Sequence, residues 1–182
     1  DELLWLSHET EHYTFIYRAP YQSAVDELVG IAEEVYDEVT GFMGALRDHM
    51  DVVVFGESDL ANGFYYPGPP QHIGLYIANP TLAFMGARTE SYLRALLTHE
   101  VTHFVQANYG RGLFHVLGAI FGRGVNGFSL ALVPAWFTEG IAVNTETILT
   151  EGGRGRDPFF EMQYKAPAIE DELFTLNQAG YQ

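Results

Sequence analysis

The 182 residues are 47% hydrophobic and 14% aromatic, enough to build a core and too many for an intrinsically disordered chain. Against 9 Lys and Arg stand 24 Asp and Glu, a formal charge of −15 at pH 7, which argues against nucleic acid and anionic membranes as partners. With no cysteine, disulfides, thiolate zinc sites and thiol nucleophiles are excluded.

The chain begins at Asp1 with neither Met nor an apolar leader, which reads as a processed or excised form. No apolar run approaches the roughly 18 residues of a membrane-spanning helix. Tyr13–Arg18 (YTFIYR) is aromatic and branched and reads as a strand. Residues 19–44 follow with Val25, Leu28, Val29, Ala32, Val35, Tyr36, Val39 and Phe42 at helical spacing. Asp26, Glu27, Glu33, Glu34, Asp37 and Glu38 fall mostly between them, giving an amphipathic helix whose acidic face is solvated. Most of the excess charge lies before residue 60, where 14 acidic side chains face 2 basic ones, so acidity belongs to the scaffold.

Residues 51–56 (DVVVFG) read as a strand ended by Gly56. Residues 62–66 (NGFYY) read as a short strand stopped by Pro67-Gly68-Pro69-Pro70, and 72–78 (HIGLYIA) as a full strand. A helix is predicted over 90–109, ending at Gly110. A Gly-rich insert, 110–133, carries an apolar stripe that reads either as core or as a lid, a partner-docking surface or a membrane contact. A helix then starts near Pro134, a Gly/Arg loop covers 152–158, and a last helical piece covers 168–177. The order implies one α+β domain with a mostly antiparallel sheet, sheet-bearing over 1–86 and helical over 87–182.

The chemistry sits in His99-Glu100-Val101-Thr102-His103. Histidines at i and i+4 share a helical face and can both reach one zinc ion. Glu100 lies about 100° round the helix, placed to meet a water at the metal and not the metal itself. Leu93, Leu96, Leu97, Phe104 and Val105 flank the motif, as in a buried helix. The third ligand predicted is Glu139, a single carboxylate in the apolar helix start Pro134-Ala135-Trp136-Phe137-Thr138-Glu139-Gly140-Ile141-Ala142; burying it is costly unless it meets a cation.

HEVTH followed by PAWFTEGIA resembles the gluzincin metallopeptidases, the Trp-x-x-Glu-Gly-x-Ala portion being similar to the zinc aminopeptidase branch. More closely, the chain resembles the peptidase-MA-like domains found ahead of Tol-type β-propellers in bacterial exported proteins. That resemblance implies a zincin-like fold, one Zn2+ per chain, peptide-bond hydrolysis, an extracytoplasmic location and a β-propeller partner domain beyond this chain. It makes His99, His103 and Glu139 ligands and Glu100 the general base. The sequence departs from the family in two places. The spacer 104–138 is longer, by about the length of the insert. Val143 stands where thermolysin-like enzymes carry an Asp that orients a zinc histidine, and Glu146, on the same helical face, is the candidate substitute.

Tyr164 and Tyr181 are candidates for the donor that stabilises the oxyanion, with His115 a weaker one. Asn62, Gly63 and Phe64 are candidates for a strand edge that pairs with an extended peptide; an ordinary Asn-Gly turn fits them as well. The absence of a Gly-x-Met-Glu-Asn stretch favours endopeptidase action. The competing reading is a catalytically silent zincin-like module that serves a larger partner, against which Glu100 argues, since binding alone needs no general base.

Overall fold

A computed structural model describes residues 4–44, 48–78, 92–108, 120, 133–173, 175 and 178. The described chain is mixed α and β, with a five-stranded sheet and four α-helices. The strands are β1 (Trp5–Glu9), β2 (Tyr13–Arg18), β3 (Met50–Phe55), β4 (Gly63–Tyr66) and β5 (His72–Tyr76). The helices are α1 (Gln22–Met43), α2 (Tyr92–Asn108), α3 (Ala135–Leu149) and α4 (Pro158–Ile169).

The spatial order is β1-β2-β3-β5-β4. The outer pairs β1/β2 and β4/β5 are antiparallel, but β2/β3 and β3/β5 are parallel, so the sheet is mixed and not mostly antiparallel. The β2/β3 parallel pairing follows from α1, which carries the chain from the end of β2 back to the start of β3, as a crossover must. Strand β1 escapes a reading based on branched residues. It exposes Trp5 and Leu6 and is held through its ladder and by Arg18, whose guanidinium lies 5.2 Å from the Trp5 ring centroid.

Alternation sorts the strands. Tyr13, Phe15 and Tyr17 on β2, Met50, Val52 and Val54 on β3, and Ile73 and Leu75 on β5 point to one buried face. Against that face lie Val25, Leu28, Ala32, Val35 and Val39 of α1 and Leu93, Leu96, Leu97, Val101 and Phe104 of α2, in one hydrophobic cluster. Burying each such side chain contributes about 1.5–3 kcal/mol. Val29 is only partly buried and Phe42 is exposed, so the apolar stripe of α1 is narrower than its sequence suggests. The helix ends at Gly44 in the left-handed conformation, φ 64°, its N–H donating to the Thr40 carbonyl.

The acidic face of α1 does have partners. Glu33 accepts from the Thr10 hydroxyl at 2.6 Å and from the His12 backbone N–H at 3.0 Å, tying the β1–β2 turn to the helix. Arg94 of α2 reaches Glu34 at 3.0 Å and Glu38 at 2.8 Å.

The C-terminal part differs from expectation at one element. The last helix runs over Pro158–Ile169, not 168–177. Asp157 caps it, its carboxylate accepting from the Phe159 N–H at 2.8 Å, and Pro158 supplies the preset φ of the first turn. Beyond Ile169 the chain leaves the helix, with Asp171 at φ 58°. Of the insert 110–133 only Ile120 and Val133 are described, both exposed; the rest of it, His115 and Tyr181 lie outside the described residues.

Candidate metal centre

Helix α2 is clamped between the sheet and α3, and its buried side carries His99 and Glu100 along with the core residues. Helix α3 crosses close to the end of that face and brings Glu139 against both histidines. Nε2 of His99 lies 3.1 Å from Nε2 of His103. Glu139 Oε2 lies 3.3 Å from the first and Oε1 3.3 Å from the second. Four ligands tetrahedral about zinc at ~2.0–2.1 Å stand about 3.3 Å apart, so this donor set has the size and the N, N, O chemistry that zinc takes.

The histidines are oriented from behind. His103 Nδ1 lies 2.9 Å from the Gln106 side-chain oxygen, and the Gln106 amide donates to the Thr138 carbonyl at 3.0 Å, next to Glu139. His99 Nδ1 lies 2.9 Å from Glu146 Oε2. In the tautomer with both Nδ1 atoms donating backward, both Nε2 lone pairs would be free to take a metal ion beside Glu139. Glu146, on the same face of α3 as Val143 and 3% exposed, thus occupies the orienting position.

Arg154 completes this layer, and no sequence pattern singled it out. Its backbone N–H and Nε donate to Glu146 Oε1 at 2.9 and 2.8 Å, and Nη2 to Oε2 at 3.0 Å. Nη2 also lies 2.5 Å from His99 Nδ1, with Glu146 the acceptor the two share. The loop can come this close because residue 153 is glycine: a Cβ there would stand 2.3 Å from the Thr147 Cα. The Gly-Gly-Arg-Gly stretch, read as a plain loop, was the available signal.

Charge in the cluster is redistributed accordingly. Hydrogen bonds from His103 and His99 hold the Glu139 carboxyl well below the usual carboxylate range, against some burial. Glu146 is buried, which alone would raise its pKa, but His99 and Arg154 bring it down to about 2. Burial works to lower the His99 pKa, and Glu139 and Glu146 outweigh it, so the net shift is upward. Glu100 moves up because burial outweighs the attraction of His99 and His103. Its Oε2 is buried and has no hydrogen-bond partner.

The cluster opens on a cavity of about 580 Å³. Asn62, Gly63 and Phe64 line one side; Tyr92, Arg154 and Phe160 line another. Two expectations need correction. Glu139 is not buried: its side chain is 56% exposed, because the first turns of α3, including Trp136 and Phe137, face outward in the described structure. Tyr164 is 55% exposed on α4 and does not line the cavity, where Phe160 lies instead. The cavity's tyrosines are Tyr65 and Tyr92, and burial pushes the Tyr92 hydroxyl up to about 12, so it stays a donor at neutral pH.

No family model, curated protein or solved structure matches this chain.

Proposed function

We propose that this chain is a zinc-dependent peptidase with a zincin-like fold, of the gluzincin kind its two motifs resemble, acting as an endopeptidase. The observation that carries the reading is the convergence of His99 Nε2, His103 Nε2 and the Glu139 carboxylate: the two nitrogens lie 3.1 Å apart, and each lies 3.3 Å from a different carboxylate oxygen. A zinc ion held by these three residues supplies a Lewis acid for a scissile carbonyl and acidifies water. Glu100, lining the cavity with an upward-shifted pKa, takes the proton of the attacking water and hands it to the leaving amine. Glu146 and Gln106 keep the two imidazoles in the metal-facing tautomer. Tyr92 and Arg154 are two of the cavity-lining donors that could face a carbonyl oxygen.

Strand β4 supplies a surface for the peptide. It is the last strand of the sheet, and the Asn62 carbonyl accepts from the Tyr76 N–H at 2.9 Å. In antiparallel alternation Asn62, Phe64 and Tyr66 therefore bond to β5, while the N–H and C=O groups of Gly63 and Tyr65 point away from the sheet. An extended peptide can add there as a further strand, passing over the histidines. The resemblance also supports an extracytoplasmic protein with a β-propeller partner domain; no described helix is long and apolar enough to cross a membrane.

The test is Glu100→Gln. Retained zinc with peptide hydrolysis reduced at least ~100-fold is expected from loss of a general base. Hydrolysis that survives the substitution removes Glu100 from the reaction.

A further inference from the structure

We infer that Gly63 is a positioning residue for Glu100: the missing side chain on the edge strand is what allows the carboxylate to rest where it does. The catalytic consequence rests on the peptidase reading above; the packing relation does not. A Cβ placed on Gly63 would stand 2.6 Å from Glu100 Oε1, 2.8 Å from Cγ and 2.9 Å from Cδ. Ordinary carbon contacts sit at about 3.5–4.0 Å, so the three nearest atoms, all of them Glu100, would each have to give. Oε2 has no hydrogen bond of its own, so packing against the strand fixes the carboxylate.

Neither backbone has room to retreat. On the strand side, β4 is held to β5 in register from Gly63↔Leu75 to Tyr66↔His72. On the helix side, Leu97 and Val101 of α2 are fully buried in the core. The two elements also run in step. Tyr65, the next β4 residue facing α2, meets Phe104 edge-to-face at 5.8 Å between centroids. Two strand residues advance about 6.8 Å and four helical residues about 6 Å, so 63 over 100 and 65 over 104 are consecutive rungs of one contact. A methyl at 63 therefore displaces the one movable partner, the Glu100 carboxylate. Because the outward amide groups of the same glycine would pair with a peptide, residue 63 also sets how close that peptide's backbone comes to the base.

The test is a double-substitution cycle of Gly63→Ala and Glu100→Ala, read by urea unfolding of the protein as purified, together with zinc content and steady-state kinetics of Gly63→Ala. Gly63→Ala is expected to keep one zinc per chain and a KM near wild type while kcat falls about 10²-fold, the scale of an ångström's misplacement. It should lower the urea midpoint when Glu100 is present and not lower it in the Glu100→Ala background, where the methyl has room. An equal shift in both backgrounds, or an unchanged kcat in an enzyme that hydrolyses peptides, overturns the inference. If the wild-type protein hydrolyses no peptide, the peptidase reading fails while the unfolding cycle still decides the packing relation.

Discussion

Replacing Glu146 with alanine removes the acceptor of four hydrogen bonds, one from His99 and three from Arg154. Breaking a buried ion pair by removing one partner costs about 3–5 kcal/mol, since the other charge is left without compensation. Arg154 is 31% exposed and can turn part of its guanidinium to water, which places the expected loss near the low end, about 3 kcal/mol. In a domain of this size that lowers the melting temperature by roughly 6–12 °C. The same substitution frees the His99 imidazole to rotate and change tautomer, and the loss of such a partner lowers metal affinity about 10–100-fold. Thermal unfolding in the presence of a chelator reads the first effect, and competition with a chromophoric zinc chelator reads the second. Glu146→Gln should lose less stability, because its amide oxygen still accepts from Arg154. A Glu146→Ala protein that melts within about 2 °C of wild type and binds zinc as tightly would refute the layered arrangement of histidine, carboxylate and guanidinium.

Other expectations follow from the same arrangement of residues. Leu28, fully buried on α1 away from the metal site, should cost about 2–5 kcal/mol on truncation to alanine with zinc affinity unchanged; a parallel loss of zinc would mean that helix and site are not separable. Gln106→Leu should weaken zinc binding by about tenfold through His103, with little change in stability since Gln106 is only partly buried; unchanged affinity in a chelator competition would remove it from the site. Burial raises the Tyr65 pKa to about 12, so its contribution is complete below the unfolded value of 10.0 and is lost as pH rises through 12. Urea midpoints measured between pH 9 and pH 11.5 should therefore fall, and fall less in Tyr65→Phe; identical slopes would exclude it.

Local spacing made part of this site legible. His99 and His103 at i and i+4 need only a helix to converge, and the apolar flanks of the motif announce one. Glu139 was visible because a lone carboxylate interrupts an apolar helix start, although the described structure leaves it half-exposed and not buried. Glu146 could be named from helical phase alone. Arg154 could not, because its position depends on a loop folding back onto α3, a tertiary event whose only trace is Gly153. The sheet's parallel pairs were hidden for a similar reason: strand patterns report which residues face inward, not which neighbour a strand takes after a crossover. Strand β1 carries its bulky Trp5 and Leu6 on the outside and so lacks the alternation that marks the others. The last helix was misplaced because its start signal, Asp157 with Pro158, sits inside a Gly/Arg stretch that reads as loop.

The most direct measurement is hydrolysis of a quenched-fluorescent peptide library by chelator-treated protein as zinc is added back. Activity that is absent without metal, rises with added zinc and stops rising at one equivalent per chain is the predicted result. Hydrolysis that is absent at every zinc level, or that proceeds unchanged after the metal is removed, contradicts the account.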